Sequence, residues 1–173
     1  MTARPAETEF APYYVPYVTL VPDGDIALEL RHQLDDIRRM AEAVPADRET
    51  YRYGPGKWSV REVFGHLGDT ERVFGYRAGC ISRGDTTPLP AFDENLFVAN
   101  AGFDRSPLRS LAAELLALRQ ANLLMFGRLD DAAWRRLGTA NGQPVSVRAL
   151  AHIMFGHVAH HFGILRERYG VAP

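Results

Sequence analysis

Four stretches of this chain repeat apolar residues every three or four positions, and almost nowhere does the sequence alternate in twos. That pattern predicts an all-α fold, because a helix with one apolar stripe must bury it against others of its kind. The first stretch opens near Asp23 or Asp25, carries Ile26, Leu30, Leu34, Ile37 and Ala41, and stops before Pro45. The second has the clearest start. In KWSVREVFGHL, Ser59 and Glu62 form an S-x-x-E capping box, and Trp58 and Val63 occupy the two staple positions around it. This helix runs to about Ile81, ahead of Gly84. The third takes Ser106 as cap and Pro107 as first helical residue, and continues to about Leu129. A short helical turn covers DDAAWRRL, and GTANGQPV reads as turn. Ser146 then caps the fourth helix, which Gly170 closes after Tyr169.

The simplest packing of four such helices is a four-helix bundle. Arg83 to Asp104 is too long a connection for a tight hairpin, and a short helix opens within it at Asp93. A crossover that returns along the bundle makes the second and third helices parallel and the fourth antiparallel to the second. Residues 1–22 hold four prolines and several tyrosines, and read as an irregular, extended arm laid on the body or on a second subunit. Residues 23–173 then form a single domain.

Charge narrows the partners. Twenty basic and twenty-one acidic residues leave a net charge of −1, which gives no footprint for nucleic acid or an anionic membrane. No apolar run reaches the roughly 18 residues of a transmembrane helix. The single cysteine, Cys80, excludes an internal disulfide and suits a reducing compartment. The N-terminal MTARPAETEFAPYY lacks the basic-then-apolar order of a secretory leader. A cytoplasmic protein acting on a small molecule is expected, with a homodimer along a helix face as one option.

The chemistry concentrates near the C-terminus, in GHVAHHFGIL. At roughly 100° per residue, His157 and His161 lie about 40° apart on one helix face, so both imidazoles can reach one ion. His160 lies about 100° from His161 and His152 points to nearly the opposite side. A third ligand must come from another helix. His66 is about 10 Å from the start of the second helix, while His157 and His161 are about 12–18 Å from the end of the fourth. Antiparallel packing brings the three to one level. Other polar residues follow the His66 stripe. Asp69, three residues on, can orient a ligand by accepting its second N–H, and Thr70, Val73 and Arg77 share the same side. Arg77 can receive a substrate carboxylate or pair with an acid such as Glu114. On the crossover, Asp93 and Glu94 offer a general base, though Asp93 also suits a helix cap. His160 is a neighbour that can assist the site. Cys80, about 21 Å along the axis from His66, is too far to join it.

The segments KWSVREVFGHLGDTER and GHVAHHFGIL together resemble the DinB/YfiT superfamily, over about Asp23 to Tyr169. The resemblance implies a four-helix bundle holding a divalent metal on one histidine of the second helix and an H-x-x-x-H pair of the last. Here these are His66, His157 and His161. Three imidazoles suit zinc or nickel and leave positions open for water. The superfamily includes metal-dependent hydrolases and enzymes that transfer or isomerise with low-molecular-weight thiols. The expected function is therefore a metal-dependent hydrolase, with a thiol S-transferase or isomerase as the alternative enzyme. A non-catalytic bundle with a structural or sensor metal is the other alternative. A DNA-damage module, suggested only by the superfamily's name, finds no support in the balanced charge.

Overall fold

The computed structural model describes residues 3–173. Four long helices carry it: α2 (Ile26–Glu42), α3 (Val60–Ser82), α5 (Leu108–Phe126) and α7 (Val147–Tyr169). Between and before them lie α1 (Val15–Thr19), α4 (Glu94–Ala101) and α6 (Asp131–Arg135). Two short strands, β1 (Leu137–Ala140) and β2 (Gln143–Ser146), pair antiparallel, with Leu137 opposite Ser146 and Ala140 opposite Gln143. No described helix is long and apolar enough to cross a membrane.

Local chemistry accounts for most helix starts. Asp25 caps α2 by accepting the Ala27 N–H at 2.9 Å. The capping box of α3 closes in both directions: Ser59 Oγ accepts the Glu62 N–H at 3.0 Å, and Glu62 accepts the Ser59 N–H at 2.8 Å. Asp93 caps α4, Asp130 caps α6 and Ser146 caps α7. Gly170 ends α7 in the left-handed region. The start of α5 differs from the expected Ser106 cap. Pro107 occupies the cap position without a side-chain bond, and the Leu108 N–H donates instead to Glu49 from the distant loop after α2. The helix also stops at Phe126, short of the expected Leu129, with Gly127 as its C-cap, and Asp130 then caps α6.

Pair contacts give the helix directions. Along α3, Glu71, Gly75 and Gly79 meet Arg119, Asn122 and Met125 of α5, so the two are parallel. Phe64 packs on Phe162, and the Tyr169 hydroxyl donates to the Trp58 carbonyl, so α7 runs antiparallel to α3. Gln33 of α2 bonds the Phe155 carbonyl, and Arg48 just beyond α2 bonds that of Tyr169, which sets α2 parallel to α7. This is the topology expected from the crossover length.

The core falls into two apolar clusters, one around Leu30, Phe74, Phe126 and Leu150, the other around Ile37, Phe64, Leu115 and Leu165. At the level between them on the helices is a polar layer. Arg119, 0 % exposed, donates to both Glu71 oxygens at 2.8 and 2.9 Å and to Gln33 Oε1 at 2.7 Å. A buried guanidinium is tolerated here because its donors meet acceptors in a planar fork.

Two regions depart from the sequence expectation. The arm expected as extended chain turns at residues 7–9 and 12–14 and forms α1. Two of its prolines, Pro12 and Pro16, fall at helix starts, where the missing N–H removes no bond. Phe10, Val18 and Val21 from this segment join the first core cluster, and Arg4 clamps the Val18 and Val21 carbonyls at 2.7 Å. GTANGQPV, expected as turn, is the β1–β2 hairpin. Asn141 (φ 52°) and Gly142 (φ 68°) make its two-residue turn, whose positive φ values match the twist of a hairpin.

Candidate metal centre

Three imidazoles converge between α3 and α7. His66 Nε2 lies 2.9 Å from His157 Nε2, which lies 3.2 Å from His161 Nε2. The ring centroids are 4.6–4.9 Å apart with interplanar angles of 68–74°, a propeller about a common centre. Each residue presents one ligand atom, all within 4.8 Å of one another. Nitrogens bound to a zinc-like ion at about 2.0–2.1 Å sit roughly 3.0–3.4 Å apart, so the donor set fits a divalent metal with little movement. Among the described residues no fourth histidine, cysteine or carboxylate joins the group.

Burial keeps these rings neutral, the form that ligates. It lowers the pKa of His66 to about 4. His161 falls to about 3 through burial, then through His66 and His160. His157 falls well below the ordinary range by burial first, then through His161 and His66. The neutral rings need no proton removed to bind a metal near neutral pH.

A cavity of about 410 Å³ opens above the triad. Thr70, one turn along α3 from His66, lines it. Its Oγ1 is buried without a hydrogen-bond partner, an orphan hydroxyl in the wall. Trp58, expected as a staple, lays its ring 4.7 Å from that of His66. Tyr17 of α1 meets His157 and His160 edge-on at 5.6 and 5.2 Å. Gly156 makes that approach possible, because a Cβ there would overlap the Tyr17 carbonyl. Beyond α3 the crossover closes the cavity with Phe92 and Glu94. It is pinned to the hairpin by Leu89, whose N–H donates to the Thr139 carbonyl at 2.8 Å and whose carbonyl accepts from Asn141 at 3.1 Å. Asn141 completes that wall.

The remaining expected site residues divide. His160 lines the cavity beside the triad, partly buried, and its pKa is lowered by burial. Asp69 is placed toward Arg72 at 3.4 Å, and no bond links it to the His66 ring. Asp93 is exposed and engaged in capping α4, where it accepts from Asn95 and Leu96 at 3.0 Å; the crossover acid that reaches the cavity is Glu94. Arg77 is buried in the cavity wall, and Glu114, weighed as its partner, pairs with Arg72 instead. His152 is buried elsewhere, bonded to the Arg148 carbonyl at 2.8 Å, with its pKa lowered to about 4 by burial. The tyrosines of the arm and Asn141 went unrecognised as cavity residues. Gly156 inside a helix is the one local signal of a close backbone approach.

Comparison with known proteins follows the same lines. No curated protein matches the chain in sequence. Among solved structures it is similar to YfiT from Bacillus subtilis, described as a probable metal-dependent hydrolase with an unusual four-helix bundle topology. The TM-score is 0.75 at 17 % identity, covering 95 % of each chain. A mycothiol-dependent maleylpyruvate isomerase matches with TM-score 0.65 at 16 % identity, over 83 % of this chain and 60 % of that one. A DinB-like protein of Bacillus subtilis matches with TM-score 0.57 at 20 % identity, over 82 % and 87 % of the two chains. At the family level, residues 29–165 match the DinB superfamily, which takes in every helix that supplies a triad histidine. A bundle with a parallel α3–α5 pair, and a sequence match over most of its length, make this chain a member of the DinB superfamily.

Proposed function

We propose that the protein is a metal-dependent hydrolase of small molecules, with the metal held by His66, His157 and His161. The observation that carries this reading is the convergence of three buried imidazole nitrogens on one point at the floor of a cavity, with no fourth protein ligand among the described residues. A structural site closes with four protein ligands, and this set leaves room for water and substrate. Zinc or nickel suits three neutral nitrogens, and such an ion supplies Lewis acidity and a more acidic bound water. The chain's own residues supply the rest. Trp58 and Tyr17 wall the triad from bulk solvent. Thr70 Oγ1 is free to hydrogen-bond an oxygen of the reacting group. Glu94 is the carboxylate lining the cavity, which supports it as the group that takes up or returns a proton.

A thiol-dependent transfer or isomerisation is the second reading. It is supported by the structural likeness to the mycothiol-dependent isomerase, of which this chain spans 60 %. A metal that makes bound water more acidic also holds a thiol as thiolate.

The test is metal content in untagged protein, alongside His66→Ala and His161→Ala. Stoichiometric zinc or nickel that both substitutions abolish supports the site, and metal retained by both overturns it. Loaded protein is then assayed on esters and amides with and without small thiols. Turnover without thiol supports the hydrolase, and turnover only with stoichiometric thiol supports the transferase.

A further inference from the structure

Two arginines are buried in this bundle, and only one of them is neutralised. Arg119 has both oxygens of Glu71 and the amide oxygen of Gln33. Arg77, 4 % exposed, donates from Nη2 to the Pro90 carbonyl at 2.6 Å, and its guanidinium carbon lies 5.4 Å from the centre of the Phe74 ring. Among the described residues no carboxylate lies within ion-pair distance of it; Glu94 lines the same cavity without pairing with it, and Glu114 is taken by Arg72. A guanidinium carries five N–H donors; its partners here, the Pro90 carbonyl, the Tyr14 hydroxyl and the Phe74 face, are all neutral, and no Arg77 nitrogen is sealed off from both partner and cavity. Burying such a cation without a counter-charge is strongly unfavourable. Arg77 also lines the same cavity as the triad.

We infer that Arg77 is the anion-binding end of this cavity, and that the ligand is an elongated organic monocarboxylate whose far end lies at the histidine triad. This inference rests on the metal-site reading for the role of the far end only. The spacing supports it. His66 and Arg77 are eleven residues apart, three helical turns, so they share one face of α3 with about 16 Å between their Cα atoms. Helical side chains lean toward the N-terminus, which brings the guanidinium back toward the triad. Between the two lie Thr70 and Phe74, one hydroxyl and one ring along the same stripe. A single guanidinium in a cavity that also holds the carboxylate of Glu94 favours a single negative charge over a phosphate dianion.

The experiment measures binding of hexanoate and hexanol by calorimetry to full-length, zinc-loaded protein, with metal content read on the same samples. Wild type is expected to prefer hexanoate by at least about tenfold, the scale of a charge-assisted hydrogen bond. Arg77→Met is expected to level the two while retaining metal and helical circular dichroism, and Arg77→Lys to keep part of the preference. Equal binding of acid and alcohol by wild type overturns the inference, and that comparison needs no variant to fold. A preference that survives in Arg77→Met also overturns it, because the carboxylate is then held elsewhere, the metal included. Protein that takes up no metal defeats the metal-site reading alone; the hexanoate preference of that sample still decides the role of Arg77.

Discussion

Gly156 stands mid-helix, where glycine costs about 1 kcal/mol relative to alanine. Its compensation is the main chain of α1, which lies against it and carries Tyr17 to the triad. Gly156→Ala is expected to destabilise the protein by about 1–3 kcal/mol, since backbone atoms have no rotamer by which to move aside. Urea unfolding measures the loss, and an unchanged midpoint would show that α1 is not held there. At the other end of the same arm, Glu9 accepts from Arg148 Nε at 2.7 Å. Burial alone would raise the Glu9 pKa, but the bonds from Arg148, Ser146 and the Ala6 N–H outweigh it and hold it at about 2, against 4.5 ordinarily. The unfolded chain therefore binds this proton more readily than the folded one. The contribution is complete above about pH 4.5 and is lost as pH falls toward about 2. Because the pair borders solvent, roughly 1–2 kcal/mol is expected. Unfolding of wild type and Glu9→Gln should differ near neutrality, and the difference should shrink below about pH 4.5 and vanish only as pH falls to about 2; a difference that holds constant across that range would refute the assignment.

At the level of elements, starts that are satisfied within a few residues are legible in the sequence, whereas starts and strands that lean on a distant segment are not. Ser59 and Glu62 satisfy each other within three residues, so the start of α3 needs nothing distant. Ser59→Ala is expected to cost about 0.5–2 kcal/mol, and more if the Asp104 carboxylate, 2.5 Å from Ser59 Oγ, finds no new donor. Thermal unfolding of Ser59→Ala against Ser59→Asp, which keeps a capping oxygen but places a second acid beside Asp104, separates the two effects. The α5 start was misread because its first N–H is met by Glu49, on the far side of α3 in sequence. The hairpin was missed because each strand is only four residues long and is stabilised by pairing with its partner and with Leu89 of the crossover.

For the whole molecule the decisive feature is the buried polar layer between the two apolar clusters. Glu71→Leu leaves Arg119 charged and unpaired, and is expected to destabilise by about 3–5 kcal/mol. Glu71→Leu combined with Arg119→Met removes both charges, and should recover much of that loss in a double-mutant cycle by urea unfolding. If the double variant is as unstable as the single, packing rather than charge explains the layer.

The sequence by itself determined four helices, the caps of α2, α3 and α7 and the face shared by His157 and His161, because each follows from chemistry within a few residues along one chain segment. Only the tertiary structure decided that His66 meets that pair at 2.9 Å, that Trp58 and the arm's tyrosines wall the cavity, and that Arg77 lacks the counter-ion Arg119 has. Those relations join residues from separate segments, ninety-one positions apart for His66 and His157. Their distances depend on how whole helices pack, and no local periodicity records that.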